Sequence, residues 1–320
     1  PWNGLGRMHD KYVIADDSLY ILGGRNTFGY FLGDYAGHKN YDRDVLVYNT
    51  GSKDSSIYQI KDYYKKITSQ KCCSVFHYNE SLGEKNSVKK AEQELKKRYE
   101  SLENKYDKFL AENYDYKANT YETNKINLLS NPTSLYAKQP TVYYGLMYLA
   151  KNAKKEVKIH TPYIICNDYM YKELKNIKVP TTIMTNSAEN NGNIFGAVDY
   201  LNHKKDIINT GVTIKEYEGG ISYHGKSMTI DDDIAIVGSF NMDMRSAYID
   251  TELMLVINSK DINKQLKASM EEYEKKAATV KNETEYSHIP EGMKMKELSD
   301  KKKNIKAWFG WAMNGLRFLF

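Results

Sequence analysis

Two stretches far apart in this chain carry the same polar residues at the same spacing, and no other feature constrains the fold as tightly. The first reads His9-Asp-Lys11-Tyr-Val-Ile-Ala-Asp16 and continues as Leu22-Gly23-Gly24-Arg25-Asn26. The second reads His224-Gly-Lys226-Ser-Met-Thr-Ile-Asp231 and continues as Val237-Gly238-Ser239-Phe240-Asn241. Asn follows His by 17 positions in both copies, without a gap. Matched polar and glycine positions inside matched apolar runs point to two equivalent halves. Each copy has the pattern of a β-hairpin, with apolar runs flanking Asp16-Asp17-Ser18 and Asp231-Asp232-Asp233. His and Lys stand two apart on the first strand, so both side chains leave the same face. Each hairpin leads into another apolar strand, Asp44-Val45-Leu46-Val47-Tyr48 and Glu252-Leu253-Met254-Leu255-Val256.

Between the copies the character changes. Residues 87–121 are dominated by Lys, Glu, Tyr and Leu with sparse apolar spacing, the pattern of a long solvated helical insertion, either a surface helix pair or a lid. After Asn131-Pro132 the pattern becomes α/β, with helices expected over 142–152, 168–174 and 197–209 and strands over 157–163, 181–186 and 211–217. Such alternation predicts a mainly parallel sheet covered on both faces. The first copy lacks equivalent upstream elements and begins within ten residues of Pro1, so the first lobe reads as truncated at its N-terminus. The expected division is a first α/β lobe over 1–125 containing the insertion, a second over 126–285, and a tail over 286–320.

Composition narrows little. Hydrophobic residues make up 41% and charged ones 27% of 320 residues, ordinary for a folded body. The formal charge of +5, from 46 Lys and Arg against 41 Asp and Glu, suits an anionic partner without singling one out. Cys72, Cys73 and Cys166 form no C-x-x-C pair and no even framework, so disulfides and zinc are not expected. No apolar run reaches the ~18 residues of a membrane span.

Paired His, Lys and Asn from two matching hairpins suggest one site on a pseudo-two-fold axis. The chemistry that fits is substitution at a phosphodiester. One neutral histidine attacks phosphorus to give a covalent phosphohistidine, and the other, protonated, donates to the leaving oxygen. Histidine suits both tasks because its ordinary pKa, about 6.5, lies near working pH. Lys11, Lys226, Asn26 and Asn241 would surround the non-bridging oxygens, where charge builds in the transition state. No metal and no cofactor is expected. Asp16 and Asp231, at hairpin bends, are expected to bond nearby backbone amides.

The pattern H-x-K-x4-D followed by G-[GS]-x-N, present twice, resembles the signature of the phospholipase D superfamily. Asn241-Met-Asp243-Met-Arg245-Ser246 with the later Glu252, and His160-Thr161-Pro162-Tyr163-Ile164, are similar to the bacterial cardiolipin synthase branch. The resemblance covers roughly residues 7–50 and 126–260. It implies two pseudo-symmetric α/β lobes in a phospholipase D-like sandwich, with His9 as nucleophile and His224 as general acid. It also implies that Glu252 orients a catalytic histidine, with Asp44 as its counterpart in the first half. Arg245 and Ser239 would support the site. Gly24 departs from the family's usual Ser, which removes one hydroxyl donor.

The same resemblance implies a phosphatidyltransferase acting on a phosphatidylglycerol-like phospholipid, with an alcohol or water as acceptor. A phospholipase D hydrolysing phospholipid to phosphatidic acid and an endonuclease are the other activities on this mechanism, although nucleic acid is not the expected partner. Two motifs per chain imply function as a monomer. In the tail, Lys301, Lys302, Lys303 and Lys306 precede Trp308, Phe309, Trp311, Met313, Leu316, Phe318, Leu319 and Phe320. Basic residues beside Trp and Phe suit a membrane interface or a helix packed on the body. The expected location is the bacterial cell membrane, with any anchor upstream of Pro1.

Overall fold

The structure is a computed structural model that describes residues 6–32, 40–75, 77, 79–106, 114–309 and 315–319. It divides into two compact units, one of Pro1–Lys61 with Tyr121–Phe320 and one of Asp62–Thr120.

In the first unit, β1 (Tyr12–Ala15), β2 (Leu19–Gly23) and β3 (Asp44–Tyr48) form an antiparallel three-stranded sheet. Alternation is visible: Tyr20, Leu22 and Val47 point inward, whereas Val13 and Ile21 are exposed. Helix α1 (Ser56–Thr68) begins against the inward face, where the Tyr20 hydroxyl and Ser56 Oγ are 2.7 Å apart and Ile57 and Ile60 are buried. The second unit holds α2 (Glu80–Gly83) and α3 (Asn86–Lys105), and α3 is solvated along its length. Residues 107–113 of the expected insertion lie outside the described residues.

The remainder of the first unit runs β4 (Lys125–Ser130), α4 (Thr141–Lys151), β5 (Val157–His160), β6 (Ile164–Ile165), α5 (Asp168–Lys175), β7 (Thr181–Asn186), α6 (Ile194–Ile208), β8 (Thr213–Tyr217), β9 (Lys226–Ile230), β10 (Ile234–Gly238), β11 (Met242–Asp243), α7 (Met244–Tyr248), β12 (Leu253–Asn258), α8 (Lys260–Glu274), β13 (Ala277–Val280), β14 (Tyr286–His288) and α9 (Asp300–Phe309). Nine strands make one sheet in the order β14-β13-β8-β7-β5-β9-β10-β12-β4. Its main core packs Val142, Leu146 and Met147 of α4, Met170 and Leu174 of α5, and Tyr200 and Ile207 of α6 against Met228, Ile236 and Val256. Helix α8 lies on the strands from the other side, with Leu266 and Met270 buried.

The α/β class holds, but the expected mainly parallel sheet does not. Within the nine-stranded sheet only β5–β7 and β7–β8 are parallel, while β5–β9, β9–β10, β10–β12, β12–β4, β13–β8 and β13–β14 are antiparallel; β6 and β11 form a separate parallel pair. Helical crossovers enforce parallel pairing only in the β5-α5-β7-α6-β8 run, and the motif hairpin inserts beside β5 with its own antiparallel register. A Cβ at Gly238 would lie 2.1 Å from the Leu253 carbonyl oxygen, and one at Gly23 would lie 2.5 Å from that of Arg43. These glycines let each hairpin close onto its third strand beside the motif residues.

Candidate functional site

Two short parallel bridges join the halves, Met8 with Thr251 and Tyr41 with Tyr223. Each bridge places the next residue of one half beside the next residue of the other. His9 Nδ1 therefore stands 2.8 Å from Glu252 Oε1, and His224 Nδ1 stands 2.7 Å from Asp42 Oδ2. The two dyads are crossed, since each half lends its carboxylate to the other half's histidine. Both carboxylates are fully buried, while the histidine side chains keep 21% and 17% of their surface exposed. A ring held at Nδ1 presents Nε2 outward, as nucleophilic attack and proton donation both require.

The lysines repeat one geometry. Lys11 Nζ donates to the carbonyl of His9, and Lys226 Nζ donates to that of His224. Lys226 Nζ also lies 2.6 Å from His224 Nδ1 and 3.1 Å from Nε2. Burial brings its pKa down to about 8, with Lys11 adding to the drop and Asp42 and Glu252 opposing it. Burial likewise lowers Lys11. Asn26 is half-buried after β2, while Asn241 is buried with no hydrogen-bond partner at Oδ1.

The carboxylates differ. Burial pushes Glu252 up to about 8, against the Ser239 hydroxyl that donates to its Oε2 at 2.5 Å and the charge of Lys11. Asp42 stays below its ordinary value: burial pushes it up, but Lys226 and the His224 bond outweigh that. Burial drives His9 well below 6.5 and brings His224 to about 4, with the nearby lysines adding to both. A bound phosphodiester anion would counter the lysine charges and favour the imidazolium form.

Asp44, the expected counterpart of Glu252, does not meet a histidine. Its Oδ2 accepts from Arg25 Nε at 2.5 Å, and Arg25 also donates to the carbonyls of Phe31 and Asp42. Strand register explains the correction, because Gly23 pairs with Asp44 where Gly238 pairs with Met254, so Glu252 corresponds to Asp42. Gly24 has a consequence of its own: a Cβ there would sit 2.4 Å from Asp42 Oδ1 and 3.0 Å from Lys226 Cδ. One half pairs Glu252 with Ser239, and the other pairs the shorter Asp42 with a glycine that makes room for it.

Arg245 does not face the histidines; its Nε meets Asp250 Oδ2 at 3.0 Å, and its Nη1 donates to the Leu319 carbonyl. Asp250 Oδ1 in turn accepts from Arg7 N, two residues before His9. Asp231 accepts from the amides of Lys154, Lys155 and Glu156, a different segment from its own bend, and Asp16 is exposed. Both adopt left-handed backbone, with φ of 50° at Asp16 and 51° at Asp231. His160 is buried, with Nε2 3.2 Å from Glu274 Oε1. Sequence reasoning missed Asp42, and it missed Phe31, whose ring meets the His224 ring edge-on at 5.0 Å.

Residues 146–273 match the family described as cardiolipin synthase, PLD-like domain. An uncharacterized protein of Helicobacter pylori is 26% identical over 297 residues, covering 83% of this chain and 57% of that protein. Cardiolipin synthase 1 of Staphylococcus epidermidis is 30% identical over 159 residues, covering 49% of this chain and 32% of that protein. The chain therefore spans 57% and 32% of the lengths of these two curated relatives. The solved phosphatidylserine synthase of Haemophilus influenzae shares the fold, with a TM-score of 0.63 at 14% identity over 99% of this chain and 72% of that one. With both H-x-K-x4-D copies meeting in one site, the family match gives this chain a phospholipase D-like domain over residues 146–273, and the solved neighbour shows the fold alone.

Proposed function

We propose that this chain is a phosphatidyltransferase of the cardiolipin synthase type, working on phospholipid phosphodiesters at a membrane surface. The crossed dyads carry the reading, since each histidine is held at Nδ1 by a carboxylate of the other half. His9 Nε2 attacks phosphorus, and the bond to the leaving alcohol oxygen breaks as His224 Nε2 donates a proton to it. An acceptor hydroxyl then attacks the phosphohistidine, returns its proton to His224 and frees His9. Lys11, Lys226, Asn26 and Asn241 hold the non-bridging oxygens. The ionised Asp42 supports the imidazolium form of His224 that the first step needs. The named relatives favour a lipid substrate.

The tail adds support for a membrane surface. Lys302 anchors α9 through the carbonyls of Ala188, Glu189 and Asn191, while Lys301, Lys303, Lys306 and Trp308 face solvent. Trp311, Met313 and Phe320 lie outside the described residues. No helix among those residues is long and apolar enough to cross a membrane, so contact here would be interfacial.

The experiment incubates the protein with phosphatidylglycerol vesicles and follows products by mass spectrometry, beside His224→Ala. Cardiolipin and glycerol formed only by the wild type are the expected result. Phosphatidic acid would make water the acceptor. Untouched lipid together with cleaved single-stranded DNA would replace the lipid reading with a nuclease.

A further inference from the structure

Asp42 lacks the device that fixes Glu252. In the second half the Ser239 hydroxyl donates to Glu252 and accepts from Leu253 N at 3.0 Å, which ties the carboxylate to its own sheet. In the first half Gly24 has no hydroxyl, and although backbone bonds tie Tyr41 to Ser222 and His224 and Gly24 to Arg43, none of them reaches the Asp42 carboxylate. Arg43 supplies what is missing. Its N–H donates to Asp42 Oδ1 at 2.8 Å, which leaves Oδ2 for His224. Its side chain then crosses to the other half: Nη1 donates to Tyr223 OH at 2.8 Å and to Ser227 Oγ at 2.6 Å, and Nη2 donates to Ser269 Oγ of α8 at 3.0 Å. The guanidinium carbon also lies 5.9 Å from the ring centroids of both Tyr223 and Tyr273.

Tyr223 and Ser227 bracket the stretch His224-Gly225-Lys226. One side chain thus grips both ends of the second motif while its backbone holds the carboxylate that orients His224. The corresponding position in the other half is Leu253, a buried apolar residue after Glu252, so the clamp exists on one side only. Among the described residues no carboxylate forms a salt bridge with the Arg43 guanidinium, whose partners are hydroxyls and ring faces. That arrangement suits a planar five-donor fork better than an ammonium.

We propose that Arg43 is a positioning residue for the Asp42–His224 dyad, locking Asp42 against His224 in place of the serine that the first motif lacks. This rests on the reading that His224 takes part in phosphodiester substitution. Removing the clamp lets Asp42 drift from His224 Nδ1, and misplacement of about 1 Å is enough for a loss of about 10²-fold.

The test measures turnover of bis(p-nitrophenyl) phosphate by the wild type, Arg43→Met, Arg43→Lys, Asp42→Asn and the Arg43→Met/Asp42→Asn double variant, each checked for folding by circular dichroism. Arg43→Met is expected to lower kcat about tenfold or more, Arg43→Lys to recover little, and the double variant to be no slower than Asp42→Asn alone. Loss of that coupling, with the two effects multiplying, would overturn the role of Arg43. So would an Arg43→Met variant as fast as the wild type beside a crippled Asp42→Asn. An Asp42→Asn variant with full activity would instead overturn the dyad reading, and Arg43's role with it.

Discussion

The two motif hairpins share a sequence pattern but not an environment. Every residue of β9 is buried, because the second hairpin sits in the middle of a nine-stranded sheet between helices. β1 belongs to a three-stranded sheet, and its residues alternate between partly buried and exposed, with Val13 65% exposed where Met228 of β9 is 2% exposed. The difference continues into the site, where Glu252 is braced by Ser239, and Asp42 fits beside Gly24 and is braced by Arg43. Equivalent function therefore needs equivalent placement of a few atoms, not equivalent packing. Crossing the dyads also makes each half depend on the other, since neither histidine is oriented by its own hairpin.

That asymmetry can be broken by mutation. The largest contrast is expected between neighbouring aspartates: Asp42→Asn should lower kcat by about 10²-fold or more, while Asp44→Asn, which loosens only Arg25, should cost less than about tenfold. Equal losses at the two positions would undo the register argument.

The register of β3 also marks where the sequence ran out. Both motifs, the helices α4, α5 and α6 and the strands β5, β7 and β8 could be read from spacing and periodicity, because long amphipathic patterns and in-register repeats are local signals. Asp42 could not. Strand side chains alternate with period two, so aligning Asp44 with Glu252 puts a carboxylate on the correct face but two residues from its true equivalent. The connections before β3 and β12 differ in length, so only pairing across the sheet fixes the register. Arg43 was invisible for a related reason, since its partners Tyr223, Ser227 and Ser269 lie far downstream. The alternation of strands and helices suggested a parallel sheet because it cannot reveal a hairpin inserted between crossovers. Gly24 looked like a missing donor until the position of Asp42 showed that a side chain there would collide.

Next in size is Gly24→Ser. Restoring the familiar serine should lower kcat about tenfold, because its Cβ would crowd Asp42 and Lys226. The matching change, Ser239→Ala, should lower unfolding free energy by about 1–3 kcal/mol by leaving Glu252 short of a donor. A faster Gly24→Ser enzyme would mean that the two halves are interchangeable after all.

A pH profile sharpens the assignment of roles. Glu252 titrates near 8, so it is protonated below and ionised above that pH. Attack by His9 requires a proton on Nδ1 facing an ionised Glu252, so ionisation of Glu252 should raise turnover. Lys226, also near 8, loses its charge over the same range and lowers turnover in any variant that keeps it. The ratio of wild-type to Glu252→Gln turnover reduces that shared effect, and because Glu252 also holds the Lys226 pKa up, its loss adds to the rise in the ratio. It is expected to rise with pH through about 8 and level off above it. A ratio that stays flat or falls would mean that turnover does not depend on an ionised Glu252 facing His9.

The smallest effect is expected away from the site. Trp308→Ala should leave turnover of a soluble diester within about twofold, while binding to phosphatidylglycerol vesicles, followed by sedimentation, weakens several-fold. Unchanged vesicle binding would assign α9 to packing alone.

The crossing of the dyads is tested most directly by NMR of the histidine side chains, in protein carrying ¹⁵N-labelled histidine. Ring resonances of His9 and His224, assigned from His9→Ala and His224→Ala, are followed in Asp42→Asn, Asp44→Asn and Glu252→Gln. The account predicts that Asp42→Asn moves the His224 signals, Glu252→Gln moves those of His9, and Asp44→Asn moves neither appreciably. A His224 ring that responds to Glu252→Gln or Asp44→Asn while ignoring Asp42→Asn would contradict it.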